Sequence, residues 1–337
     1  MNILWSFTKT GIWKINRDHT KAPTERSLVI WEEALRRGIE MEGLIIYGKY
    51  VEHHRAKINN KWHHFESLPI PSRFAEDAYE WMDDKWELKK FLLAHRIPTA
   101  YGASVTNLED ALKIFNKGRK PFITKPQIGS RGRHTTTHIY TKEELIHGFR
   151  VAKKLCRYVI VEEHLVGSVY RGTYINGEVV GILRGDPPRI TGDGTSTIKQ
   201  LISIKNKNRH PEVAKVRITD HLKEFIKRQG LSLATVLKKS QTIDLSEKIG
   251  TSYGGYRAEE ITITHPKIIK YVKKAGDRMR VPIVGFDFII EDITKDPDTQ
   301  KWGFIEANSL PFIDLHHFPL EGEAVNAAAK VWDLWDN

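Results

Sequence analysis

The 337-residue chain holds one cysteine, Cys156. A lone thiol excludes an intramolecular disulfide and a cysteine-only metal centre, and it favours a reducing compartment. Long apolar runs are also missing: none approaches the roughly 20 residues that cross a bilayer. The opening MNILWSFTKTGIWK lacks the basic start, long apolar middle and small-residue cleavage site of a secretion signal. There is no internal repeat and no low-complexity stretch. Neither GxxxxGK[ST] nor a helix-opening GxGxxG occurs, which argues against P-loop and Rossmann nucleotide sites. These absences lead to the expectation of a soluble, cytoplasmic chain with no membrane partner.

A chain that is 40% hydrophobic and 28% charged has enough material for a sizeable core, and its length suggests two or three lobes. The formal charge of +11, from 53 basic and 42 acidic residues, raises the question of nucleic acid. The basic residues are spread through helix-like segments such as 205–228, with no nucleic-acid motif beside them. A solvated surface or an anionic small substrate accounts for them, and nucleic acid is not the expected partner.

Residues 1 to about 80 mix short strands (GLIIYGKYV, 43–51) with a helix (SLVIWEEALRRG, 27–38) and end at the breaker LPIPS, 68–72. This reads as a small N-terminal α/β lobe. Four histidines lie close in sequence there, at 53, 54, 63 and 64, without the carboxylate or cysteine spacing of a metal site. Next, MDDKWELKKFLLAHRIP (82–98) places Trp86, Leu88, Phe91 and Leu92 near helical spacing and stops at Pro98. Strands and helices then alternate to the end.

Chemistry concentrates from residue 120 onward. RKPFITKPQIGSRGRHTTTHIY (119–140) sets a strand ending in Lys125 against a loop with Gly129 and Gly132. Backbone N–H groups of such a loop can approach phosphate oxygens, and a strand-end lysine supplies a point charge; a plain hairpin turn reads the same. YVIVEEHLVG (158–167) ends a buried-looking strand in two carboxylates, suited to an adenine amino group or to a simple strand end. In VPIVGFDFIIEDI (281–293), Asp287 points away from Phe286 and Phe288 because strand residues alternate faces. A buried unpaired carboxylate costs roughly several kcal/mol, so a cation or a basic partner is expected. The same alternation puts Glu306 and Asn308 on one face of the strand in FIEANSLPFIDLHHFPLEG (304–322). If the two strands pair, three oxygen ligands converge, a set that suits Mg²⁺ with water and nucleotide phosphates completing its shell. Any one of the three alone reads equally as a salt bridge or strand-end hydrogen bond.

The order DK (84–85), TKP (124–126), glycine hairpin, VIVEEHL, GFD and EAN resembles the ATP-grasp enzymes over residues 83–337. RGDPPRITGDGTSTIKQLI (184–202) and GTSYGGYRAEEITITHP (250–266) are similar to the ATP-grasp region of cyanophycin synthetase and related amino-acid ligases. The resemblance implies an α/β (α+β) fold in which two subdomains grip ATP, divided as 1–82 N-terminal lobe, 83–165 small subdomain and 166–337 large subdomain. It stops where that synthetase continues into a Mur-ligase-like half, so the expectation is amide formation rather than cyanophycin synthesis itself.

The resemblance further implies that Lys85 and Lys125 hold ATP phosphates, with Ser130, Arg131 and Gly132 closing over them. Glu162, His164 and Leu165 receive adenine, and Asp287, Glu306 and Asn308 bind Mg²⁺, or Mn²⁺ in its place. Arg184 faces the phosphate being transferred. Where relatives carry an acidic residue for the ribose, this chain has Val169, which leaves the hydroxyls to another group such as Glu163. In SYGGYR (252–257), Arg257 is a candidate for binding a substrate carboxylate, or a surface arginine beside a plain turn. His316 is read as a structural residue of the final loop or as a substrate contact.

The activity implied is an ATP-dependent carbon–nitrogen ligase that joins a small carboxylate to an amine, an amino acid or peptide, through an acylphosphate. A mobile hairpin would keep water from that intermediate. The alternatives are a small-molecule kinase and a non-catalytic nucleotide- or nucleic-acid-binding relative. The family often forms dimers or tetramers, which leaves a homo-oligomer open.

Overall fold

Three antiparallel sheets of four or five strands follow one another along the chain in the computed structural model, which describes residues 5–8, 11, 13–74, 79–129 and 134–336. The first is built from β1 (Lys14–Asn16), β2 (Glu40–Ile46), β3 (Lys49–Ile58) and β4 (Lys61–Glu66), in that order, with α1 (Glu25–Arg36) packed on it. Thr24 caps α1 by accepting from the Ser27 amide, which satisfies one of the free N–H groups of the first turn. The helix buries Val29, Ile30, Trp31 and Ala34 against Met41, Ala56 and Phe65 of the sheet.

After α2 (Lys85–Ala94) come β5 (Gly102–Val105), α3 (Leu108–Lys117), β6 (Phe122–Pro126), β7 (Thr136–Ile139), α4 (Lys142–Lys153) and β8 (Val159–Glu163). Their strands order as β5-β8-β6-β7. Phe115, Phe122, Leu145 and Val161 centre a core between this sheet and its two helices. Gly102 lies opposite Glu162, and a Cβ there would come within 2.3 Å of the Glu162 Cβ. The missing side chain lets β5 close directly over the carboxylate strand.

The third sheet orders as β13-β10-β9-β14-β15. Its members are β9 (Ser168–Ile175), β10 (Glu178–Asp186), β13 (Tyr256–Glu259), β14 (Ile283–Ile290) and β15 (Gly303–Asn308). Between β10 and β13 the chain makes a smaller unit of β11 (Arg189–Thr191), α5 (Ile198–Lys207), α6 (Asp220–Arg228) and β12 (Thr242–Asp244), around Ile198, Ile202, Leu222 and Ile226. α7 (Pro266–Met279) covers one face of the third sheet, with Ile268 and Val272 against Phe286 and Phe288. α2 joins the same core through Leu88 and Leu92, so the helix that carries Lys85 is anchored to the sheet that carries Asp287 and Glu306.

The C-terminal α8 (Asp314–His317) and α9 (Ala327–Trp332) return to the first lobe. Trp332 is fully buried among the side chains of α1, and its indole N–H donates to the Ile30 carbonyl at 3.0 Å. Ile175, Val180 and Ile283 of the third sheet belong to the same apolar cluster, so lobe and sheet share one core. Among the described residues no helix is long and apolar enough to cross a membrane.

Candidate active site

The second and third sheets and the β11–β12 unit enclose a cavity of about 1000 Å³. Lys85, Lys125, Glu162, Arg171, Arg184, Asp287 and Glu306 all line it.

The antiparallel register of β14 and β15 sets Asp287 opposite Glu306 and Gly285 opposite Asn308. On its other side β14 pairs with β9, which sets Asp287 opposite Arg171. Directly opposed residues share a face, so Glu306, Asp287 and Arg171 form a row across three strands. Arg171 grips Asp287 with Nε at 2.7 Å from Oδ1 and a terminal nitrogen at 2.8 Å from Oδ2. The Asn308 amide nitrogen lies 3.5 Å from Asp287 Oδ2. The buried carboxylate of the sequence therefore has its basic partner. The sequence reading missed Arg171 because an arginine inside VYRGTY carries no motif; its only signal was a charge on a strand otherwise rich in Val, Tyr and Ile.

Lys85 opens α2, where a cation opposes the helix dipole. Asp84 offsets this by accepting from the Trp86 and Glu87 amides at 2.8 and 3.1 Å, and it takes a bond from the Gln127 side chain at 2.7 Å. The Lys85 ammonium donates to the Gly129 carbonyl at 3.1 Å and pairs with Glu306 at 3.3 Å. A lysine at an unfavourable helix position, aimed at a carboxylate and a loop carbonyl, is placed by the site rather than by the helix.

Lys125, on β6, pairs with Glu162 Oε1 at 2.7 Å, and Lys89 of α2 takes Glu162 Oε2 at 2.5 Å. Burial raises the pKa of Glu162, but the two ammonium groups outweigh it and hold the carboxyl well below its usual range. Both Glu162 oxygens are thus engaged. Glu163 is similarly occupied, accepting from the Arg119 amide at 2.6 Å and pairing with Lys301. His164 donates its amide to the Pro121 carbonyl at 2.8 Å, while its ring meets that of His138 at 4.7 Å between centroids. Burial lowers the pKa of both rings, to about 3 for His164, so this wall presents neutral imidazoles.

Arg184 of β10 bonds Asp186 through Nε at 2.6 Å and lies 5.3 Å from the Tyr256 ring centroid. Asp186 also receives the Val169 amide at 3.2 Å, so the position lacking a ribose carboxylate is tied to the strand that carries Arg184. Arg257 and Asn308 are not among the described residues that line the cavity. Arg257 sits on β13 with its guanidinium 3.5 Å from Glu212. Ser130, Arg131 and Gly132 lie outside the described residues. His316 is fully buried, its ring bonded to Glu259 at 2.5 Å and to Thr173 at 2.7 Å. A Cβ on Gly181 would fall 2.4 Å from that ring. The histidines at 53, 54, 63 and 64 lie on β3 and β4, and among the described residues no group of three or more His, Cys, Asp or Glu is placed to hold a metal.

No family model matches the chain. The glutathione biosynthesis bifunctional protein GshAB of Clostridium perfringens is 29% identical over 265 residues, covering 76% of this chain and 34% of that protein. The cyanophycin synthetase of Synechocystis sp. is 30% identical over 260 residues, covering 74% of this chain and 30% of that protein. The chain thus spans about a third of the length of the curated relatives it matches. Among solved structures, a bifunctional glutathione synthetase from Pasteurella multocida superposes with a TM-score of 0.58 at 21% identity, over 94% of this chain and 43% of that one.

Proposed function

We infer, from a chain that has the ATP-grasp fold and resembles the ATP-grasp region of cyanophycin synthetase, that it is an ATP-dependent carboxylate–amine ligase. The observation that carries this reading is the 3.3 Å ion pair of Lys85 with Glu306 on the wall of a cavity that Lys125, Arg184 and Asp287 also line. Cations for a triphosphate and a paired carboxylate row for a divalent ion then face one volume, large enough for a nucleotide and small substrates.

The donor set fits Mg²⁺. Two carboxylates and an amide oxygen on adjacent strands are hard oxygen ligands, and Asp287 Oδ1 keeps a lone pair while Arg171 fixes the carboxylate's direction. Asp287, Glu306 and Asn308 would hold the ion, which supplies charge neutralisation for the phosphates; Mn²⁺ suits the same ligands. Lys85 and Lys125 would hold the phosphate chain, with Glu162 fixing Lys125 in place. With both Glu162 oxygens engaged by lysines, adenine recognition falls mainly to the His164 ring and the Leu165 backbone. The three-part division at 82/83 and 165/166, a cytoplasmic location and a homo-oligomer belong to the same reading.

In the reaction a substrate carboxylate oxygen attacks the γ-phosphorus and ADP leaves. Arg184, held in aim by Asp186, faces the transferred phosphoryl group and offsets its charge. The amine then attacks the acyl carbon, phosphate departs and the amine proton passes to solvent. Direct amide formation would expel hydroxide; the acylphosphate replaces it with phosphate, a far better leaving group.

The test is phosphate release from ATP and Mg²⁺ with panels of amino acids and peptides, together with mass detection of the product. An amide that forms in step with phosphate supports the ligase. Phosphorylated acceptor without amide would point to a kinase, and no release with any acceptor would overturn both. Glu306→Gln should remove turnover and leave the thermal transition within a few degrees of wild type.

A further inference from the structure

Val169 brings no carboxylate to the cavity, and Glu163, the acid the sequence offers in its place, has the Arg119 amide on one oxygen and Lys301 on the other. A different acid reaches the same segment from the β11–β12 unit. The antiparallel register sets Arg189 directly opposite Asp244, which puts both side chains on one face. Arg189 Nε donates to Asp244 Oδ1 at 2.5 Å, while its terminal nitrogens donate to the Ser168 hydroxyl at 3.0 Å and to the Gly167 carbonyl at 2.5 Å. One guanidinium thus ties Asp244 to the two residues that precede Val169. Gly167, Ser168, Val169, Arg189 and Asp244 all line the cavity.

Asp244 is held in place with one oxygen open. Its Oδ2 has no hydrogen-bond partner among the described residues, and its side chain is 27% exposed. The end of β12 is fixed by the backbone: the Asp244 carbonyl accepts from the Gln229 side chain at 3.1 Å, and the Leu245 amide donates to the Pro188 carbonyl at 2.8 Å. Phe225 of α6 meets the His138 ring edge-on at 5.7 Å between centroids, so this unit reaches the imidazole wall. His138 and Asp186 both act on the Asp244 charge, which puts the carboxylate within electrostatic reach of that wall and of the residue that aims Arg184. Burial raises the Asp244 pKa, and Arg189 and His138 oppose the rise; hydrogen-bond donors of a ligand would act with them.

Other acids on the cavity wall are placed less well. Glu162 has a lysine on each oxygen, and Asp186 has the Val169 amide and Arg189 on Oδ1 and Arg184 on Oδ2. Glu247 pairs with His221 and, at 3.8 Å, with Arg228. Glu291 lies beside Gly167, where a Cβ would come within 2.7 Å of its amide nitrogen, but it is exposed and no described contact sets its direction. A carboxylate with one oxygen anchored and the other open suits a pair of vicinal hydroxyls, which only donate to it.

We propose that Asp244 is the ribose-binding residue of this chain, its open oxygen accepting from the 2′- and 3′-hydroxyls of the nucleotide. The proposal rests on the ATP part of the reading above and not on ligation. A site built to accept from a hydroxyl rejects the analogue that lacks it, so the chain discriminates ribonucleotides from deoxynucleotides, and the discrimination resides in the β11–β12 unit rather than in β9.

The experiment is calorimetric titration with ADP, 2′-deoxy-ADP and 3′-deoxy-ADP in the presence of Mg²⁺, on wild type, Asp244→Ala, Asp244→Asn and Glu291→Gln. Wild type is expected to bind ADP about tenfold more tightly than at least one deoxy form. Asp244→Ala should weaken ADP by that factor and leave the disfavoured deoxy form unchanged, so that the preference disappears. Asp244→Asn keeps an oxygen for Arg189 and turns an NH₂ group toward the hydroxyls; it should shrink the preference too, and it decides the matter if the alanine variant does not fold. Equal binding of all three nucleotides by wild type overturns the proposal, as does binding of none. So does a uniform loss for all three in the Asp244 variants, a preference that survives in them, or one that disappears in Glu291→Gln. The ADP preference without amide in the phosphate-release assay keeps the ribose assignment and sinks the ligase; amide formation with ATP and both deoxy-ATP forms used equally does the reverse.

Discussion

Arg171 and Asp287 face each other across adjacent strands and meet through two parallel hydrogen bonds of 2.7 and 2.8 Å. The fork fixes the carboxylate plane while both partners are almost withdrawn from solvent. Lysine keeps the charge but cannot make the second bond. Arg171→Lys is expected to fold and to lose about 10- to 100-fold in Mg²⁺-dependent ATP turnover, with a raised Mg²⁺ requirement. Arg171→Met should instead cost about 3 to 5 kcal/mol of stability by stranding Asp287. Mg²⁺ titrations of activity beside urea denaturation separate the two; an unchanged Mg²⁺ requirement in the lysine variant would remove Arg171 from the site.

Glu162 is the counter-charge of two buried lysines, so its substitution acts on them. Glu162→Gln leaves Lys89 and Lys125 facing each other unneutralised, and a loss of about 3 to 5 kcal/mol is expected. The folded-state pKa is depressed, so this stabilisation is complete above the ordinary glutamate value and disappears as pH falls through the depressed one. Denaturation midpoints measured from pH 5 downward should decline steeply in wild type and more shallowly in the variant. Parallel slopes would show that the lysines find another partner.

The site was legible where charge interrupted a strand pattern. GFD and EAN stood out because a carboxylate in an apolar run needs an explanation, and period-two alternation put Glu306 and Asn308 on one face before any pairing was known. Lys89 and Arg171 were not legible. Lys89 reads as one more charge on an amphipathic helix, and only the packing of α2 on the core of the third sheet turns it onto Glu162. Arg171 acquires its partner from a strand more than a hundred residues later. The sequence also suggested Glu162 for adenine, and tertiary contacts that it does not show bring a lysine to each of its oxygens. The return of the C-terminus onto the first lobe left no local signal either, since AAAKVW reads as any short helix and its partner surface is at the other end of the chain.

His54 is fully buried on β3, with its ring stacked on Phe65 at 5.6 Å and edge-on to Trp31 at 6.0 Å. Burial pushes its pKa down from 6.5 to about 4. The unfolded chain then binds a proton that the folded one refuses between these values. Stability is full above pH 6.5 and falls toward pH 4, by up to about 3 kcal/mol from this group. His54→Phe keeps an aromatic ring between Trp31 and Phe65 and removes the proton. Urea denaturation at pH 7.0 and 5.0 should show a smaller difference in the variant than in wild type. An equal difference would assign the acid sensitivity elsewhere.

Trp332 ties the chain's end to its beginning, since it fills the space behind α1 and bonds the Ile30 carbonyl. The same cluster includes Ile175, Val180 and Ile283, so the first lobe is stabilised through a core it shares with the third sheet. Trp332→Ala removes the largest side chain α9 contributes, with an expected cost of about 3 to 5 kcal/mol. Trp332→Phe retains much of the apolar contact and loses the hydrogen bond, for about 1 to 2 kcal/mol. If the shared core couples the two units, amide exchange in β2 and β3 should accelerate together with exchange in β9 and β14 when Trp332 is truncated. Faster exchange confined to α9 would mean that the lobe stands on its own sheet and helix, and that the C-terminal return merely covers it.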